Sequence, residues 1–208
     1  MEQAGERDRL FEGLPESPRA APRPPVKGTF TRTGILPSQA LKSLIAGGEI
    51  RAAPEIGADQ IQPASLDLRL GKVAYRIRAS FLPGPNATVR EKLEAVKFHE
   101  IDLTKGAVLE TGCVYIVPLI ESLALPNDIA AAANPKSSTG RLDVFTRVIA
   151  DETRGFDRIT AGYHGPLYAE ISPRTFSVVV RRGSRVSQLR LRRGSPAATD
   201  TALRRLHE

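Results

Sequence analysis

From Ile61 onward the chain alternates apolar and polar residues in short segments, and this period of two limits it to a fold built mainly from β-strands. The clearest segment is 65–70, in which every second residue is leucine, and it stops at Gly71. Further strands are predicted at 99–103, 113–118, 128–134, 144–150, 166–172, 175–181 and 185–191. Because no strand alternates with a long helix, the pattern favours an all-β barrel or sandwich over a doubly wound α/β fold.

Local signals predict two short helical segments and one hairpin. A helix should begin at Pro37-Ser38 and end at Gly47-Gly48, because glycine adopts the left-handed C-cap conformation at little cost. Residues 89–96 are predicted to form one or two helical turns. Residues 73–78 are predicted to pair with the leucine-rich strand 65–70 as a hairpin.

Composition divides the chain into three parts. Residues 1–33 are polar and include five prolines between Pro15 and Pro25, so they are predicted to form a flexible arm that buries too little surface to fold. Residues 34–194 form the predicted β-domain. Residues 195–208 form a C-terminal tail, in which residues 199–207 are predicted as a short helix.

Composition and charge argue against several classes of protein. No apolar run reaches the roughly 18 residues of a membrane span, and the N-terminus lacks the apolar stretch of a secretory signal. The single cysteine, Cys113, rules out an internal disulfide, so we predict a cytoplasmic protein without a membrane partner. The net charge of +7 is concentrated in arginines near the C-terminus, with which only Phe176 interleaves. We therefore predict no nucleic-acid partner and interpret the arginines as a solvated strand face that attracts a polyphosphate ligand.

The segment 134–147 is predicted to bind the phosphates of a nucleotide. Two cations and two consecutive serine hydroxyls occur within six residues: Lys136, Ser137, Ser138 and Arg141. Thr139-Gly140 between them is predicted as a tight turn whose backbone amides face outward. Hydroxyls, free amides and cations that converge on one bend make a site for anionic oxygens.

Glu170 is the leading candidate for acid–base chemistry, because it is the single carboxylate in the otherwise apolar strand 166–172. Two other interpretations remain: the side chain faces solvent, or it pairs with one of the arginines. A zinc site is not predicted, since the three histidines lack ligand spacing relative to Cys113. The chain also lacks a Walker A loop and a G-x-S-x-G elbow.

Four motifs, in this order, resemble the dCTP deaminase family. Residues 62–71, QPASLDLRLG, are similar to the family's opening motif, and the Ser-Ser-x-x-Arg of 137–141 is similar to its active-site motif. Tyr163-His164-Gly165 resembles the aromatic turn that leads to the family's glutamate, here Glu170. Residues 183–189 resemble the final core strand, so the resemblance extends from residue 34 to residue 193.

The resemblance implies a distorted β-barrel of the dUTPase-like superfamily, normally a homotrimer with active sites at subunit interfaces. The implied reaction converts dCTP and water to dUTP and ammonia, with Mg²⁺ bound through the substrate triphosphate and no zinc. Glu170 would be the general acid and base for the water that attacks C4 of cytosine. Arg141 would hold Glu170 and the water in position, and Ser137 would hydrogen-bond near the water or the departing amine.

The resemblance also implies four substrate-binding residues. Lys136 and Ser138 would hold phosphate oxygens. Tyr163 would pack on the deoxyribose, and Gln188 would contact the base or a phosphate. Lys136 stands where the family usually has arginine, a change that keeps the charge but loses the bidentate geometry.

Some residues depart from the family pattern, and these departures help to weigh the alternative functions. Thr160 stands where the family usually has an aspartate shortly before the aromatic residue, which argues against the alternative of a dUTP diphosphatase and against a bifunctional enzyme. The loop 151–156 is longer than usual, and 195–208 does not match the tail that folds over the triphosphate in the family. Some members carry two barrel-like halves in one chain. A further alternative is therefore a non-catalytic nucleotide-binding or trimer-forming half of such a tandem protein, which would assemble as a pseudo-trimer.

Overall fold

The computed structural model describes residues 33–194 and 200–206. Most of the predicted arm at 1–33 therefore lies outside the described residues, as do 195–199 and 207–208 of the predicted tail. The strands, in chain order, are β1 (Gly34–Ile35), β2 (Ile50–Ala52), β3 (Ile61–Gln62), β4 (Ser65–Arg69), β5 (Val73–Ile77), β6 (Lys97–Asp102), β7 (Ala107–Leu109), β8 (Val114–Ala124), β9 (Ile129–Pro135), β10 (Val144–Ala150), β11 (Arg158–Ile159), β12 (His164–Pro173), β13 (Val178–Val180) and β14 (Arg185–Arg193). The helices are α1 (Ser38–Gly47), α2 (Val89–Val96), α3 (Ser137–Arg141) and α4 (Asp200–Arg205).

The strands form two sheets and one small ribbon, which confirms the prediction of an all-β fold. The first sheet has the order β11-β9-β14-β4-β3, with β1 beside β14, and the second has the order β10-β12-β8-β5-β6, with β2 beside β8. Strands β7 and β13 form the ribbon. Within the part of the chain that the structure describes, the edge strands of the two sheets do not pair with each other, so the barrel is not closed. Among the described residues, one isolated bridge, from Leu70 to Leu119, links the sheets.

The predicted hairpin between residues 65–70 and 73–78 is wrong. Strand β4 pairs with β14 and β3, whereas β5 belongs to the other sheet and pairs with β6 and β8. The chain crosses between the sheets at Gly71, where a Cβ atom would lie 2.6 Å from the carbonyl oxygen of Pro118. Glycine is required there for close backbone approach rather than for a turn.

The main core combines residues from both sheets. Leu66 and Leu68 of β4 belong to the same buried cluster as Val117 and Leu119 of β8. The strict alternation in the sequence thus places the leucines of β4 in this core. The polar residues between them are buried as well, so β4 is covered on both faces rather than half-buried.

A second apolar cluster, here called the α2 cluster, covers the other face of the second sheet. It joins Val89 and Leu93 of α2 to the strand residues Ile116 and Tyr168. Because side chains alternate along a strand, Glu170, two residues beyond Tyr168, projects from the same face of β12. The helix and the segment that leads to it therefore lie beside the candidate acid.

The helix ends follow the sequence signals. Helix α1 ends as predicted at Gly48, whose φ of 80° is left-handed. Helix α2 begins with a capping box, in which Thr88 and Glu91 each accept a hydrogen bond from the other's backbone N–H. In the described part of the chain, no helix combines the length and apolar character needed to cross a membrane.

Candidate active site

Glu170 is a buried carboxylate with both oxygens engaged. It lies on β12 opposite Arg147 of β10, and its residue is 1% exposed. Oε1 accepts a hydrogen bond from Nε of Arg147 at 2.8 Å, and Oε2 accepts one from the hydroxyl of Ser80 at 2.6 Å. Of the interpretations left open by the sequence, solvent exposure is therefore wrong and pairing with an arginine is correct.

Arg147 connects Glu170 to two aromatic rings and to the serine. Its guanidinium carbon lies 3.5 Å from the ring centroid of Phe156 and 5.0 Å from that of Phe145. Its Nη2 donates to the Ser80 hydroxyl at 2.8 Å. Stacking and two hydrogen bonds to different acceptors together fix the orientation of the guanidinium, a geometry that lysine cannot reproduce.

A second carboxylate, Asp157, lies close to this group. Its Oδ1 accepts a hydrogen bond from the backbone N–H of Val148 at 2.7 Å, and its backbone is left-handed, with φ 60°. Burial raises the pKa of Asp157, and the negative charge of Glu170 adds to the increase, while the Val148 hydrogen bond and Arg147 oppose it. Asp157 is therefore a second acidic side chain near Arg147, and its hydrogen bond braces β10 at Val148.

A cavity of about 630 Å³ opens along β10. Arg147, Phe156 and Asp157 line one part of it, while Arg174 and Gly140 line another. Its volume falls in the range of small-molecule sites, roughly 300–1,000 Å³. The guanidinium that holds Glu170 thus forms part of the wall of a space large enough for a ligand.

The predicted phosphate-binding segment forms a short helix, and the tight turn predicted at Thr139-Gly140 is wrong. Both residues lie within α3, where the N–H of Gly140 donates to the carbonyl of Lys136 at 3.0 Å. Ser137 and Ser138 are exposed on this helix. The hydroxyls are therefore accessible, while the amide of Gly140 is used by the helix itself.

Lys136 and Gln188 are brought together in the first sheet, around the buried Asp67. Lys136 forms an ion pair with the carboxylate of Asp67. Gln188 of β14 lies directly between Asp67 and Asn134, and its Oε1 accepts a hydrogen bond from Ser65 at 3.2 Å. These two predicted substrate-binding residues thus share one neighbourhood, separate from the hydrogen bonds of Glu170.

Arg141 and Tyr163 do not contact Glu170 within the chain. Arg141 is exposed at the end of α3, and Arg147 occupies the place beside Glu170 that was predicted for it. The Tyr163 hydroxyl donates to the carbonyl of Pro166 at 2.6 Å and accepts from the N–H of Asp151 at 3.1 Å. Burial raises the pKa of Tyr163, so this hydroxyl remains a neutral brace between two loops.

Comparison with known proteins identifies the family. The model of the N-terminal domain of 2'-deoxycytidine 5'-triphosphate deaminases matches residues 32–195. The chain belongs to the dCTP deaminase family. This confirms the resemblance carried by the four sequence motifs.

Three members of the family illustrate the degree of similarity. The chain is 30% identical over 158 residues to the dCTP deaminase, dUMP-forming, of Coprothermobacter proteolyticus, covering 74% of this chain and 80% of the relative. It is 29% identical over 168 residues to the protein of the same name from Dictyoglomus thermophilum, covering 79% and 84%. The crystal structure of the Agrobacterium tumefaciens 2'-deoxycytidine 5'-triphosphate deaminase is 60% identical, with a TM-score of 0.78. That match covers 84% of this chain and 52% of the other, so the chain spans about half of that solved protein.

Sequence reasoning missed two residues that contact the glutamate of this dCTP deaminase family member. Arg147 carries a similar signal to Glu170, a single charge in an otherwise uncharged strand, and it was open to the same argument. Ser80 carries no such signal, because it follows β5 in an irregular segment and lies 90 positions from Glu170. Its proximity depends on how that segment folds over the sheet.

Proposed function

We propose that this chain catalyses the hydrolytic deamination of dCTP to dUTP and ammonia, with Glu170 as general acid and base. The observation that carries the proposal is the buried Glu170 carboxylate, held by Ser80 and by Arg147, which itself lines the cavity along β10. A carboxylate fixed by two donors keeps one orientation toward a bound base, and proton transfer depends on that orientation.

The proposed reaction moves two protons through one carboxylate. Glu170 accepts a proton from water as the water oxygen bonds to C4 of cytosine, and it delivers that proton to N3. The proton of the new C4 hydroxyl then passes through Glu170 to the amine, the C4–N4 bond breaks, and ammonia leaves. The base retains a C4 carbonyl, so dCTP and water account for every atom of dUTP and ammonia.

The proposed triphosphate site lies at α3. Ser138 offers an exposed hydroxyl, and Lys136 has further N–H donors beyond the one that serves Asp67. Mg²⁺ would arrive on the triphosphate, since phosphate oxygens are ligands that this hard cation prefers. Tyr163 would contact the deoxyribose through its ring, and Gln188 would contact the base or a phosphate.

We propose a homotrimer in which neighbouring copies share each site. Ser137 and Arg141 are exposed on α3 and do not contact Glu170 of their own chain. In a shared site these residues of one copy would approach Glu170 of the next, and in a tandem protein a second half would replace one copy to give a pseudo-trimer. Mixing Glu170→Gln with Arg141→Ala protein tests this directly. Activity should reappear in the mixture only if one site draws residues from two chains.

The reaction is tested by incubating the chain with dCTP and Mg²⁺ and separating the products. The expected result is dUTP with an equal amount of ammonia. Glu170→Gln should lower turnover by roughly a hundredfold or more, because a general acid–base is lost, while dCTP binding is largely retained. Glu94→Gln, which alters an exposed carboxylate on α2, is the matched control and should leave turnover unchanged. Turnover by Glu170→Gln within about tenfold of the parent would refute the mechanism.

Two other functions have specific support. The relatives from C. proteolyticus and D. thermophilum are named dUMP-forming, and a dUMP product from this chain would indicate that Thr160 does not prevent cleavage of the triphosphate. The match to about half of the A. tumefaciens chain supports the alternative of a non-catalytic nucleotide-binding or trimer-forming half of a longer deaminase. Binding of dCTP without turnover, with turnover restored by a longer chain, would establish the second function.

A further inference from the structure

Ser80 lies between the buried Glu170 and the solvent. It is exposed and follows β5, in the segment that leads to α2. The next two residues, Phe81 and Leu82, pack against the α2 cluster and anchor this segment. The serine hydroxyl is therefore held in place by its neighbours, although the residue itself is exposed.

The three polar side chains form a closed ring of hydrogen bonds. Ser80 donates its only proton to Oε2 of Glu170 and accepts a hydrogen bond from Nη2 of Arg147. Arg147 donates through Nε to Oε1 of the same carboxylate. Each carboxylate oxygen thus has its own donor, and the two donors are themselves linked.

We propose that Ser80 is a positioning residue for the deamination, acting on Glu170 together with Arg147. The proposal rests on the proposed function of Glu170. The terminal torsion of a glutamate has broad energy wells, so a single donor leaves the carboxylate free to rotate about its last bond. The second anchor from Ser80 fixes the carboxylate plane and thereby sets the direction in which Glu170 takes and returns a proton.

Steady-state kinetics of three serine variants test the proposal. Ser80→Ala should lower kcat by between about tenfold and a hundredfold, since misplacing a catalytic group by a fraction of an ångström to one ångström has costs of this order. KM and the dCTP dissociation constant should stay within about twofold, because Ser80 contacts Glu170 rather than the substrate. Ser80→Thr, which keeps the hydroxyl, should restore most of the loss. Ser43→Ala, which removes an exposed hydroxyl from α1, should behave as the parent.

The outcomes separate this proposal from the function on which it rests. If the parent releases no ammonia from dCTP, the proposed function fails and the role of Ser80 falls with it. If the parent is active and Ser80→Ala retains its kcat within twofold, only the positioning role is refuted. A raised KM with unchanged kcat would make Ser80 a substrate contact, and failure of Ser80→Thr to recover activity would show that the hydroxyl is not the acting group. Either result overturns the proposal.

Discussion

Replacing Arg147 with alanine should cost much more stability when residue 170 is an ionised glutamate than when it is a neutral glutamine. Glu170 is almost fully buried, and Arg147 is the cation that contacts it among the described residues. Removing one partner of a buried ion pair costs about 3–5 kcal/mol, because the other charge is left without compensation. The Arg147 side chain is a quarter exposed, so the lower end of this range applies.

The lost contact with the Phe156 ring adds to the cost of Arg147→Ala. The guanidinium carbon lies 3.5 Å from the Phe156 ring centroid, and such a contact contributes about 0.5–2 kcal/mol. Arg147→Ala should therefore lower the free energy of unfolding by about 4 kcal/mol in the parent, from about 3 for the ion pair and about 1 for the ring. In the Glu170→Gln background the charge penalty is absent, so the expected cost is about 1–2 kcal/mol.

Urea unfolding of the parent, both single variants and the double variant, followed by circular dichroism, measures this difference. The expected coupling between the two positions is about 2–3 kcal/mol. Arg158→Ala, at an exposed arginine on β11, is the control and should change stability by less than about 0.5 kcal/mol. Equal costs of Arg147→Ala in both backgrounds, within about 0.5 kcal/mol, would refute the inference that Arg147 compensates the Glu170 charge.

Three further predictions concern stability. Gly71→Ala should lower stability by about 1–3 kcal/mol, because its Cβ would lie 2.6 Å from the carbonyl oxygen of Pro118. Gly140→Ala, in open space on α3, should be neutral or stabilising by up to about 1 kcal/mol, and equal melting temperatures for the two variants would contradict the argument. Burial raises the pKa of Asp151, so the folded state retains a proton that the unfolded chain has already lost. The free energy of unfolding should therefore fall as the pH rises from the ordinary carboxyl range through the raised pKa, and Asp151→Asn should flatten this slope in urea unfolding at several pH values.

Much of the fold could be predicted from patterns among neighbouring residues. The predictions that failed did so because they depended on contacts between residues far apart in the sequence or on strands too short to show a pattern. The leucine alternation of β4 and the glycine C-cap of α1 depend on neighbouring residues, and both are confirmed. Strands of two or three residues, such as β2 and β11, are too short to show a period and were missed. The false hairpin between β4 and β5 arose because adjacency in sequence does not reveal that the chain changes sheets at Gly71.

In the candidate site, too, the sequence indicates one residue, whereas the tertiary structure decides its partners. A lone carboxylate in an apolar strand marks Glu170 from the sequence, because charge is rare in a buried strand and needs a compensating partner. Arg147 carries a similar local signal, but its pairing with Glu170 was not accessible from the sequence, since the two residues lie 23 positions apart. Ser80 carries no signal and lies 90 positions from Glu170. Periodicity and residue type act over one strand or one helical turn, and they account for the strand-rich class and for the acid on β12. The pairing of β10 with β12 and the path of the segment before α2 decided which side chains hold that acid, because hydrogen bonds depend on distances in space that only the packed sheets establish.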